Sequence, residues 1–104
     1  MNILHKEEGQ VTVLTAVFSG SLNNKNPTRT YTLTMGAGTV TASLTFKKAS
    51  TLTLTVLSNG SVVSAATGKT PVAVTVAVVA GTYQFTVSGS TAATFTLTVT
   101  YPSP

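Results

Sequence analysis

His5, Glu7 and Glu8 are the residues of this 104-residue chain whose types and spacing could do acid–base chemistry. A histidine base oriented by a carboxylate is the core of a nucleophilic triad, and facing carboxylates can act as acid and base. All three lie in the polar stretch Met-Asn-Ile-Leu-His-Lys-Glu-Glu, which reads as a solvated N-terminal arm. Neighbouring acids in such an arm do not form a rigid pair across a substrate. Zinc needs three or four His, Cys or carboxylate ligands, and calcium several oxygens with negative charge among them. The chain has no Cys, no Asp, one His and two carboxylates, so neither set can be assembled within it. No Gly-rich phosphate loop is present. The composition argues against an enzyme, a resident metal and a cofactor.

The remaining charges are sparse and one-signed. Residues 1–8 carry Lys6 against Glu7 and Glu8; residues 9–104 carry Lys25, Arg29, Lys47, Lys48 and Lys69 and no side-chain acid. The net charge of +4 therefore reflects missing acids more than abundant bases. Five scattered cations would release few counterions from a nucleic acid, so none is expected as partner. Without acids, residues 9–104 cannot form a side-chain ion pair, and their stability must rest on burial and ladder hydrogen bonds. The longest apolar run, 71–79, is far short of the ~20 residues of a spanning helix, so no membrane span is expected. No secretory leader is visible, because the chain is polar by residue 5. Zero Cys fits any redox compartment.

Period two runs through the sequence. Tyr31, Leu33 and Met35 alternate with threonines, as do Leu52, Leu54 and Val56, and Phe95, Leu97, Val99 and Tyr101. Val40, Ala42, Leu44 and Phe46 alternate with Thr39, Thr41, Ser43 and Thr45. Successive strand side chains point to opposite faces, so each segment has an apolar face and a hydroxyl face. Threonine supplies 22 of the 104 residues, and Thr94, Thr96 and Thr98 are expected on solvent. In 72–79 the valines alternate with Ala73, Thr75, Ala77 and a final Val79, which predicts a central strand or one covered on both sides. No helical stripe appears.

Turn residues divide these runs. Asn23-Asn-Lys-Asn-Pro27 reads as a polar loop, Gly36-Ala-Gly38 as a tight connection, and Asn59-Gly60 as a type I′ hairpin turn. The Asn59-Gly-Ser61 sequon is first of all that turn. Strands are predicted over 11–22, 28–35, 39–46, 51–57, 62–65, 72–79, 82–87 and 93–101. About eight short strands at this spacing predict an all-β antiparallel sandwich, jelly-roll or Ig-like, formed as a single domain over 9–104 behind the arm 1–8. Tyr31, Tyr83, Phe85, Phe95 and Tyr101 fall on apolar faces and read as core rather than as a sugar-binding platform. Lys47-Lys48, at a strand end, reads as a guard against edge pairing.

The order of these features resembles the bacterial pre-peptidase C-terminal domain. Gly20-Ser21-Leu22 matches its opening, Arg29-Thr-Tyr-Thr-Leu-Thr-Met35 its aromatic strand, and Leu52-Thr-Leu54 with Asn59-Gly60 its hairpin. Ala80-Gly-Thr-Tyr-Gln-Phe-Thr-Val87 is similar to its most recognisable segment, and Phe95-Thr-Leu-Thr-Val99 to its closing strand. The resemblance spans 18–101 and implies a non-catalytic sandwich appended to secreted enzymes and surface proteins. Members often carry loop Asp residues suited to calcium; this chain has none, a departure that argues against a calcium site.

The expected function is a secreted or cell-surface module acting in binding or scaffolding, with a protein or a second copy as partner. A self-assembling subunit of a filament, phage or capsid is the alternative, and a polysaccharide-binding module a further one. Uncharged threonine-rich strands offer little protection against edge-to-edge pairing. The strand over 11–22 is therefore the candidate self-association element, with Val11, Val13, Leu14 and Val17 its candidate contact residues.

Overall fold

A computed structural model of the chain describes residues 12–104. The arm 1–8 and the candidate contact residue Val11 lie outside the described residues. Eight strands follow in order: β1 Val13–Leu22, β2 Thr28–Met35, β3 Gly38–Lys47, β4 Leu52–Ser58, β5 Ser61–Gly68, β6 Val72–Val78, β7 Gly81–Ser88 and β8 Ala93–Pro102. Every segment that alternates threonine with a larger apolar residue is a strand, because β-branched side chains fit a half-buried pleated surface.

The strands form two four-stranded sheets, β1-β8-β3-β6 (sheet A) and β2-β7-β4-β5 (sheet B). All pairings are antiparallel. The innermost pair is the β4–β5 hairpin, around which β3–β6, β2–β7 and β1–β8 nest in turn. Its turn is Asn59-Gly60, with φ of 52° and 81°, the two positive values a type I′ turn requires. Every other connection passes from one sheet to the other. This is the jelly-roll order; an Ig-like sandwich would keep several sequential strands side by side.

The inner faces meet in one cluster that includes Leu44, Leu54, Phe85, Leu97 and Val99, all fully buried. Tyr83 and Phe95 belong to it, while Tyr31 and Tyr101 are half-buried against it. Tyr83 satisfies its hydroxyl by donating to the carbonyl of Val79 at 2.8 Å. The thread of β3 continues past its last β6 pair, Leu44–Val72, through the Phe46 N–H, which donates to the Thr70 hydroxyl at 3.1 Å. Among the described residues no buried side-chain polar atom lacks a partner, and no polar or charged residue is buried.

One expectation is overturned. Among the described residues β6 is neither central nor covered on both sides: it is a rim strand of sheet A, paired only with β3. Val72 and Val74 face the core, but Ala73, Thr75 and Ala77 face solvent. Alanine is small enough to be left outside at little cost, so the apolar run did not require a second cover.

Candidate functional site

The hydroxyl faces lie outward on both sheets, and they differ. On sheet B the hydroxyls bond one another across strands: Thr30 with Thr86 at 3.1 Å, Thr34 with Thr82 at 2.9 Å, and Thr53 with Thr67 at 2.8 Å. On sheet A, Thr15, Thr100, Thr41 and Thr75 form one row through all four strands. There the Thr45 hydroxyl donates to the Thr96 carbonyl at 3.4 Å. Thr94 is exposed and Thr96 and Thr98 half-exposed on this outer surface, outside the core. A shallow open depression of about 280 Å³ lies there, bounded by Thr45, Lys47, Thr94 and Thr96 with Phe46 and Phe95 behind. Its lining contains a single charge, Lys47, and no acid.

The sheet rims carry the stronger signal. β1 is ten residues long, VLTAVFSGSL, without a charge or a proline, and among the described residues it pairs only with β8. Val13 and Val17 stand on its outer face, 58% and 61% exposed. Leu14 has the opposite parity: it belongs to the inner face, along with Ala16 and Phe18, and is still 38% exposed. Three of the four candidate contact residues are therefore on the rim strand, but on two faces of it. β6, at the opposite rim of sheet A, is also uncharged.

In sheet B the rims are β2 and β5. β5, SVVSAATG, is uncharged, and the register slips opposite Val56/Leu57, so that Val62 pairs with Leu57 and Ser64 with Val56. The residue left over is Val63, and both valines are exposed. β2 carries Arg29, whose Nε donates to the carbonyl of Ser21 on β1 at 3.0 Å. This inward-parity arginine is the one charge on any of the four rim strands. Lys47 and Lys48 are exposed at the end of β3, an interior strand, and so do not lie on a rim. Lys48 holds a left-handed φ of 77°.

The sandwich thus has two unlike flanks. On one, β1 lies against β2, and the gap is filled by large half-buried side chains. Phe18 stacks on Tyr31 with ring centroids 4.4 Å apart, and Tyr31 meets Phe95 edge-on at 6.3 Å. On the other, β5 lies against β6 with small residues, Ser64, Ala66 and Gly68, turned inward. Sequence reasoning did not single out Phe18, Val62 or Val63. Phe18 was legible in the alternation Ala16, Phe18, Gly20, Leu22; the exposed valines depend on a register slip that local pattern does not encode.

The molecule is an antiparallel jelly-roll sandwich in which three of the four rim strands, β1, β5 and β6, are uncharged. No protein-family model matches the sequence, and no curated protein matches it. Solved structures do. The pre-peptidase C-terminal domain of a collagenase from Bacillus anthracis is similar with a TM-score of 0.71 and 19% identity, over 83% of this chain and 89% of that one. A periplasmic inhibitor of g-type lysozyme from Aeromonas hydrophila is similar with a TM-score of 0.63 and 18% identity, over 82% and 83%. A subunit of the disulfide-linked pili called Bacillus endospore appendages gives 0.56 and 14%, over 92% and 93%. At these identities the likeness is one of fold. Among the described residues no helix is long and apolar enough to cross a membrane.

Proposed function

We propose that this chain is a non-catalytic β-sandwich module, secreted, on a cell surface or in a virion, that acts in binding or scaffolding through its sheet rims. The observation that carries the reading is β1: a ten-residue rim strand with no charge or proline that exposes Val13 and Val17. Natural sandwiches usually blunt such an edge with charge, proline or a cover. A strand left open in this way offers its N–H and C=O groups to another strand. The fold likeness to a collagenase-appended domain, a lysozyme inhibitor and a pilus subunit supports a module that works by contact. Kinship with the pre-peptidase C-terminal domains is part of the same proposal, without their calcium chemistry. The polysaccharide reading is less favoured, because Tyr83, Phe85 and Phe95 are in the core and not displayed.

Light scattering over a hundredfold concentration range, with micrographs of the most concentrated sample, tests the reading against V13K/V17K. Association that the two lysines remove supports contact through β1. Association that survives them places the contact elsewhere and overturns the reading.

A further inference from the structure

Each sheet contains an even number of strands, and every neighbour is antiparallel. The two rims of one sheet therefore run in opposite directions: β1 against β6 in sheet A, β2 against β5 in sheet B. β1 and β2 share one flank of the sandwich, and β5 and β6 share the other. A second copy displaced sideways, without being turned over, brings its β6 alongside β1 and its β5 alongside β2. Both new pairs are antiparallel, so both sheets continue into the next molecule.

We infer that the partner of the β1 rim is a second copy of this chain, joined flank to opposite flank in an open-ended array. The inference rests on the rim reading above and adds the partner and the symmetry. Two observations support it over a two-fold β1–β1 dimer. Among the described residues, five of the six exposed large apolar residues are divided between the flanks, with Val13, Leu14 and Val17 on one and Val62 and Val63 on the other; the sixth, Val79, follows the end of β6. A β1–β1 dimer covers only the first set; flank-to-opposite-flank contact covers both. The charge pattern also permits it: β1, β5 and β6 carry none, so Arg29 on β2 meets no like charge on β5. Such a contact is heterologous, and heterologous contacts propagate unless the rotation closes a ring. Four strands at about 4.8 Å predict a subunit repeat of about 19 Å, with strands across the fibre axis and a twist inherited from the sheets. The chain has no cysteine, so these ladders and side chains alone would hold the array together.

The test uses the full chain in two variants, V13K/V17K on the β1 flank and A73K/A77K on the β6 flank; all four positions are exposed. Circular dichroism and the melting temperature establish that each variant folds. The wild type should give masses that grow with concentration and filaments with a repeat near 19 Å. Each variant alone should be monomeric, because each has lost one half of every contact. An equimolar mixture should form a one-to-one dimer and stop there, since one intact β1 flank meets one intact β6 flank. A closed dimer of A73K/A77K alone would establish the two-fold β1–β1 contact and overturn this inference while leaving the rim reading standing. A wild type that is monomeric at all concentrations would overturn the inference, and the rim reading would then be tested on a foreign strand. Unaltered assembly of V13K/V17K would overturn both.

Discussion

Phe18 on β1 and Tyr31 on β2 stack with their ring centroids 4.4 Å apart and their planes 21° from parallel, and this contact ties the rim of sheet A to the rim of sheet B. Beyond it towards Leu22, Arg29 adds its bond to the Ser21 carbonyl. In the other direction, towards Val13, no comparable contact to β2 is present among the described residues, and Leu14 is partly in solvent. β1 is thus fastened at its C-terminal half and offered at its N-terminal half.

Phe18→Ala should loosen this strand. The ring is half-buried, so the loss should be about 1–3 kcal/mol, below the 3–5 kcal/mol of a fully buried aromatic. Amide exchange should accelerate over 13–22 more than over β4 or β7, because local opening of a rim strand requires less free energy than global unfolding. Uniform acceleration would show that the stack supports the whole sandwich.

Gly20→Val should also destabilise, through crowding. A Cβ at this position would stand 2.8 Å from the Tyr31 hydroxyl oxygen and 2.9 Å from Cζ of Phe95. Overpacking of this kind costs about 1–3 kcal/mol. For a domain of this size each kcal/mol lowers the melting temperature by about 4–8 °C. An unchanged melting temperature would mean that the two rings move aside freely.

Phe85→Ala and Thr98→Val test which face is core. Phe85 is fully buried at the centre of sheet B, and its truncation should cost about 3–5 kcal/mol by urea denaturation. Thr98 is on the outer face of sheet A, where a substitution that keeps the β-branch should stay within about 0.5 kcal/mol. Comparable losses at both positions would contradict the assignment of faces.

Stability should be nearly flat in acid. Acid unfolding is driven mainly by protonating carboxylates that the folded state holds ionised. Residues 9–104 contain no side-chain carboxylate, and Glu7 and Glu8 lie outside the described residues, in the stretch expected from sequence to be a solvated arm. The urea midpoint at pH 3 should therefore match that at pH 7 to within about 1 kcal/mol of folding free energy. A large acid-induced loss would show that Glu7 and Glu8 are structural.

Most of the secondary structure was legible from the chain alone. Alternation of threonine with Leu, Val, Phe and Tyr has a single physical solution, a strand with one wet face, and the strand over Thr28–Met35 is observed with the bounds the pattern predicts. Asn59-Gly60 dictated its hairpin because both positions need positive φ. The poverty in His, Cys, Asp and Glu is likewise a matter of composition, too few groups for a metal site or a catalytic triad within the chain.

Where each strand sits in its sheet was not legible, because neighbour choice depends on nested pairings between residues far apart in sequence. The run in β6 reads as interior, yet the nesting that places β8 beside β3 leaves β6 at the rim with Ala73 and Ala77 outside. Val13 and Leu14 are adjacent in sequence and equally apolar; the pleat alone puts one on the outer face and the other towards the core. Local residue types determined that there would be strands and which of their faces would be apolar. Tertiary pairing decided which strands end the sheets, and an unpaired edge is a property of the arrangement and not of any segment.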